Sequence, residues 1–180
     1  MNIIKHFKVI TTHKYHVMKS CFRVGLYKQG LLHDLSKYSP TEFFVGAKYF
    51  QGNRSPNDME RRDKGYSSAW LHHKGRNKHH FEYWVDYSDK RDGTFAGVRM
   101  PEKYIIEMFC DRLAACKTYM KSAYTQASAY EYFAKSNSWV LMHEDTMALL
   151  EKFLIMLKDE GEDATFEYIK RNYVKAKKLK

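Results

Sequence analysis

At 180 residues the chain is long enough for one domain with a real core, and its 44% hydrophobic and 29% charged content is that of an ordinary globular protein. No segment approaches the roughly 18 apolar residues of a membrane span, and Ile3-Ile4-Lys5-His6-Phe7-Lys8 breaks its apolar run too early for a signal-peptide core, so a soluble protein is expected. A formal charge of +10 favours anionic partners, while Cys21, Cys110 and Cys116 lack paired or zinc-finger spacing, which argues against a disulfide framework and for a reducing, cytoplasmic compartment.

Residues 3–28 read as a long helix. Ile3, Phe7, Ile10, Val17, Cys21 and Val24 supply the buried stripe, with Gly30 as the stop. Leu31 to Pro40 is a short bounded segment. Ser39-Pro40-Thr41-Glu42 reads as a capping box opening a helix to about Phe50, with Pro40 at the first position. After a loop at 51–57, Asn57 or Asp58 caps a helix to His73 or Lys74 that runs through Gly65. Another short helical piece is expected at 79–86, then a polar loop or small hairpin at 87–99.

From Pro101, a strong helix spans 102–121 with Ile105, Met108, Phe109, Leu113, Cys116 and Met120 on its apolar face. Helices at 127–135 and 144–159 follow, the latter with Met147, Leu150, Leu154, Ile155 and Leu157. Gly161 stops it before a last amphipathic helix at 164–175. The basic tail from Lys170 to Lys180 reads as a solvated helix end. The expected fold is all-α, a single domain over 1–180, with a site-bearing core at 3–121 and packing helices at 125–176.

Chemistry concentrates first in Leu32-His33-Asp34-Leu35-Ser36-Lys37. Adjacent residues on a helix diverge by about 100°, so His33 and Asp34 share one ion only from a helix end. His13 lies one helix and a turn upstream. Asp111 lies among core-like Met108, Phe109, Leu113 and Cys116, where a carboxylate needs a partner: Arg112, another base, or a metal. His13, His33, Asp34 and Asp111 make an N2O2 set suited to Fe, Mn, Ni, Co or Zn. His16, one turn past His13, competes with it, while His6, His16 and His143 are otherwise ordinary histidines.

The order His, His-Asp, Asp resembles the HD-domain metallophosphohydrolase superfamily, and His33-Asp34-Leu35-Ser36-Lys37 is similar to the His-Asp-Ile-Gly-Lys form of its motif, with Ser36 where many members have Gly. The resemblance spans residues 13–111 and implies an HD-like bundle of about seven helices with one or two divalent transition metals. It also places Lys37 near a substrate phosphate. Between the His-Asp and the last Asp lie His72-His73 and His79-His80, bracketed by Trp70 and Trp84. Extra histidines in that interval complete a second metal site in two-metal HD enzymes, and the block also resembles an uncharacterised HD-like bacterial family. Which member of each pair ligates stays open. His73, one turn after Trp70, and His80, one turn before Trp84, are favoured as ligands, leaving His72 and His79 to orient ligands or contact substrate.

The expected function is metal-dependent hydrolysis of a small phosphate ester, most plausibly a nucleotide. Asp34 would ligate or bridge metal and accept a proton from water, and Lys37, Arg76, His72 and His79 would attend the substrate. Two other classes stand beside it: an HD-fold di-iron oxygenase using the same ligand order, and a non-catalytic, basic nucleic-acid-binding module.

Overall fold

The computed structural model describes residues 2–90, 92–136 and 141–175, and within them eight α-helices and one two-stranded hairpin carry an all-α bundle. Helix α1 (Ile3–Val24) buries His6, Ile10, His13, Val17, Ser20, Cys21 and Val24. Its first turns sit at the bundle's edge: Ile3 and Phe7, expected in the stripe, are 41% and 48% exposed. The stop is Gly25, in the left-handed conformation at φ 88°, and not Gly30. Gly30 lies inside α2 (Tyr27–Leu32), where a β-carbon would come within 3.0 Å of Cys21 Cβ and 3.1 Å of the Phe22 ring. A glycine there lets α2 lie directly on α1, which brings the end of α2 to the middle of α1.

A 3-10 turn (Leu35–Tyr38) leads to α3 (Pro40–Lys48). Proline takes the first position as expected, but the capping box does not form: Ser39 makes no side-chain cap bond, and Glu42 turns inward to two imidazoles. Charge-assisted bonds in a buried site outweigh one bond to an exposed helix start.

The single helix expected over 57–74 is two. Ser55, not Asn57 or Asp58, caps α4 (Pro56–Lys64), which ends at left-handed Gly65; Ser67 caps α5 (Ser68–Lys74) through the Trp70 N–H. Buried Glu60 ties the junction, accepting from Ser67 Oγ at 2.7 Å, Ser68 Oγ at 2.6 Å and Lys64 Nζ at 3.1 Å. Residues 79–86 are not an α-helix. A 3-10 turn (Phe81–Trp84) runs into β1 (Val85–Tyr87), which pairs antiparallel with β2 (Phe95–Gly97), Asp86 opposite Ala96.

Helix α6 (Glu102–Met120) is the central element, as its apolar pattern requires. Ile106, Phe109, Cys110, Leu113 and Ala114 pack between Val17, Cys21 and Val24 of α1 and Leu150, Phe153, Leu154 and Leu157 of α8 (Glu144–Ile169). Met120, expected inside, is 40% exposed at the helix end. Helix α7 (Ser128–Ser136) covers one flank. Gly161 breaks α8 at φ 86°, but the helix resumes at once and runs to a terminal π turn (Lys170–Lys175). Ile155 faces outward and Phe153 takes the core place beside Leu154. The basic tail beyond Lys175 lies outside the described residues. The three cysteines are free, and among the described residues no helix is long and apolar enough to cross a membrane.

Candidate metal centre

The polar centre is built where α2 ends against α1 and α6. His33 closes α2 with extended ψ (φ −51°, ψ 127°), and Asp34 follows in the left-handed region (φ 53°, ψ 27°). Aspartate tolerates that conformation better than most residues. The reversal turns two consecutive side chains into one cavity, which a straight helix forbids. Lys14 of α1 secures the bend, its Nζ donating to the carbonyls of Leu31 at 2.8 Å and His33 at 2.7 Å.

Asp34 is buried with one oxygen facing each of two groups. On the Oδ2 side are His33 Nε2 at 3.2 Å and His13 Nε2 at 3.8 Å, and Asp111 Oδ1 closes that group at 2.9 Å from His13 and 3.5 Å from His33. On the Oδ1 side are His73 Nε2 at 3.2 Å and His79 Nε2 at 3.4 Å; His80 Nε2 lies 2.9 Å from His73 Nε2. Two sets thus gather potential ligand atoms, each set within 4.8 Å: His13, His33, Asp34 and Asp111, and Asp34, His73, His79 and His80.

The fit to metal is tested by what these atoms lack. His13 Nε2, His33 Nε2, His79 Nε2 and both Asp34 oxygens are buried with no hydrogen bond of acceptable geometry, despite their proximity. Buried polar atoms are normally satisfied, and here the exceptions point at one another. At metal–nitrogen distances of about 2.1 Å, two cis ligands stand about 3.0 Å apart, close to the His73–His80 separation of 2.9 Å. Imidazole with carboxylate suits first-row transition metals. The residues fit such ions.

A surrounding layer fixes the rings. Glu107 Oε1 accepts from His33 Nδ1 at 3.0 Å and lies 3.3 Å from His79 Nδ1. Glu42 accepts from His73 Nδ1 at 2.8 Å and His72 Nδ1 at 2.6 Å. Asn77 Nδ2 donates to His73 O at 2.8 Å and Ser36 Oγ at 2.9 Å, and Trp84 Nε1 holds the Lys78 carbonyl at 2.8 Å. Trp70 walls the second group, its ring centroid 4.7 Å from that of His80.

Electrostatics divide the imidazoles. Burial pushes Asp34 up, but His33, Lys37 and His73 outweigh it and hold the carboxyl well below its usual range. Burial lowers His33 and His73, yet neighbouring carboxylates, Asp34 foremost, raise both overall. Burial, then His79 and His73, drive His80 well down; burial and Lys37 lower His13. The shifts favour neutral rings at His13 and His80, whereas a cation bound beside His33 and His73 would displace protons.

The structure brings His13, His33, Asp34, His73, His80 and Asp111 together, and His16 stays outside, its ring beside Tyr15. His79, expected to orient ligands or contact substrate, is buried with Nε2 3.4 Å from Asp34 Oδ1, among the potential ligand atoms of the second group. Both members of the second pair turn inward because a bend at 77–80 precedes the 3-10 turn, where a helix would have separated them. His72 sits on Glu42. Arg76, expected to contact substrate, is exposed just past α5, with Nη1 donating to His72 O at 3.2 Å, and is not among the potential ligand atoms. Lys37 Nζ lies 2.5 Å from Asp34 Oδ2 with its side chain 29% exposed, so it borders both centre and solvent. Asp111 pairs with His13, while Arg112 lies over Phe133, 5.7 Å from the ring centroid.

Glu107 and Glu42 were missed. Glu107 precedes Asp111 by one turn among the same core residues, so the argument that singled out Asp111 applied equally to it. Glu42 had an alternative local use in the capping box. His6, expected as an ordinary surface or core histidine, is a core one: it is buried, with its ring in the space a β-carbon on Gly46 would occupy.

A family model described as a family of unknown function, DUF5662, matches residues 2–156, which takes in every residue of this centre. No curated protein and no solved structure matches the chain.

Proposed function

We propose that the chain, which belongs to that family, is a metal-dependent phosphohydrolase with a two-metal centre, acting on a small phosphate ester such as a nucleotide. The observation that carries the reading is Asp34: one buried carboxylate shared by two four-residue groups, with a lysine at their edge. The order of His13, His33-Asp34 and Asp111 along the chain supports the HD-type assignment by resemblance.

His13, His33, Asp34 and Asp111 would hold one ion, and Asp34, His73, His79 and His80 the other. Bound ions would supply Lewis acidity toward a phosphoryl oxygen and make water a better nucleophile at neutral pH. Asp34 fixes the spacing of the two sets. Lys37, at the edge of the centre with its side chain 29% exposed, would offset negative charge on the phosphoryl group. Glu107 keeps His33 and His79, and Glu42 keeps His73, in the tautomer that presents Nε2 inward.

The test is a screen of the protein loaded in turn with Mn, Co, Ni and Fe against nucleoside mono- and triphosphates, cyclic dinucleotides and generic phosphate esters. Phosphate release that needs metal, disappears in Asp34→Ala, and falls in Lys37→Ala with metal content intact is the expected result. No release across the panel from protein carrying two ions would overturn it. An optical change of the reduced iron form with O2 would then point to the oxygenase class. Salt-sensitive nucleic-acid retention that survives loss of the metal ligands would point to the binding module.

A further inference from the structure

An imidazole that offers Nε2 to a metal carries its proton on Nδ1, and a buried Nδ1–H needs an acceptor. His33 and His79 present this requirement from different places: the end of α2, and the bend after α5. They belong to different ligand groups. Yet both reach the same oxygen, Glu107 Oε1, at 3.0 Å and 3.3 Å, with their rings tilted by 36° at 4.4 Å between centroids. Glu107 is 6% exposed and stands one turn before Asp111 on α6, the central helix. The other buried carboxylate of this layer, Glu42, serves His73 alone among the metal-facing imidazoles, its second oxygen being taken by His72.

We propose that Glu107 is a positioning residue common to both halves of the centre, so that one carboxylate on α6 sets the affinity of two metal ions, whereas Glu42 sets that of one. The inference rests on the two-ion reading above. It assigns to α6 the coupling between the core and the site: a shift of that helix misorients one ligand of each ion simultaneously, in addition to moving Asp111. The competing arrangement uses Glu107 itself as a ligand, since His33, His79 and Glu107 also lie within ligand distance of one another. That arrangement would require the Nδ1 atoms for metal and would add an ion instead of weakening two.

Full-length protein stripped with chelator is titrated with Co(II), following cobalt content by elemental analysis and its visible d–d absorption, with circular dichroism as the control for folding. Wild type is expected to bind two ions. Glu107→Ala should weaken both sites by about 10- to 100-fold, and Glu42→Gln should weaken one. Glu107→Gln, which keeps a neutral acceptor and the side-chain volume, should recover part of the loss at both sites, a rescue that mere packing would give in full. If Glu107→Ala fails to fold, the Gln variant decides the matter, with an equal, smaller loss at both sites expected. Weakening of one site or of neither, with wild type at two, overturns the role of Glu107 and leaves the centre standing. A third cobalt ion lost on Glu107 substitution overturns it in favour of direct ligation. Wild type that takes up no cobalt overturns the two-ion centre itself, and the role of Glu107 with it.

Discussion

Asp34→Asn isolates the shared carboxylate with little backbone change, because asparagine, like aspartate, accepts the left-handed φ of 53° that Asp34 adopts. Alanine at that position would add a backbone penalty and blur the reading. The wild-type protein should gain stability from each ion it binds: at free metal 100-fold above Kd, linkage gives about 2.7 kcal/mol per site. Two sites therefore give about 5 kcal/mol, and for a domain of this size each kcal/mol moves Tm by about 2–4 °C. The expected shift is about 10–20 °C on adding Mn or Co to stripped wild-type protein, followed by differential scanning fluorimetry. In Asp34→Asn both sites lose their common charged ligand, and the shift should fall below about 5 °C at the same metal concentration. Without metal the variant should also melt lower than wild type, because Lys37, 2.5 Å from Asp34 Oδ2, loses its buried counter-charge. A full metal-induced shift in Asp34→Asn would refute the sharing of Asp34 between two ions. A shift halved in Asp34→Asn, with no further loss in His80→Ala, would mean that one ion alone binds there.

Glu60 should make the α4–α5 junction acid-sensitive: burial pushes its carboxyl up, but hydrogen bonds from Ser68, Ser67, Lys64 and the Ala69 N–H outweigh it and hold it at about 2 against the usual 4.5. A depressed carboxyl stabilises above its unfolded value and loses that contribution as pH falls from about 4.5 toward about 2; after screening by solvent the contribution is about 1–2 kcal/mol. Urea melts of wild type and Glu60→Gln should thus converge as pH drops through that window, and a constant gap would count against it. Gly30→Ala should destabilise by about 1–3 kcal/mol through overpacking on Cys21 and Phe22, and weaken metal binding by lifting α2 from α1; an unchanged melting curve would contradict that contact. Arg76→Ala should leave stability within about 0.5 kcal/mol and metal content unchanged, since Arg76 is exposed and its side chain bonds the His72 carbonyl of the preceding helix; loss of metal would show that it reaches the centre.

Much of this fold was legible along the chain. The three-four spacing of Val17, Cys21 and Val24 and of Ile105, Phe109 and Leu113 determined that each of these two helices buries one face, because helical faces are fixed by local periodicity. The sequence also marked His33-Asp34 as a segment needing a helix end and Asp111 as a carboxylate unable to stand alone, while His13 and His16 stayed competitors until the structure placed His13 in the centre and His16 beside Tyr15. Which glycine stops a helix was not legible. Gly25, Gly30, Gly65 and Gly161 are equivalent in one dimension, yet Gly30 remains helical because a neighbouring helix needs its missing side chain, while Gly25 and Gly65 end their helices by turning left-handed.

Tertiary structure decided the rest of the site. Glu42 satisfied a local capping pattern, but in three dimensions its carboxylate lies within reach of His72 and His73, and the stronger, drier interaction took it. His79 and His80 both face Asp34's group because the chain bends between Asn77 and Phe81, a bend set by bonds to Ser36 and to its own carbonyls rather than by local propensity. Sequence alone thus determined which residues carry reactive atoms and which helices bury their faces. Their convergence depends on helix-to-helix distances and side-chain directions, and these are set only when the cores of α1, α6 and α8 close together.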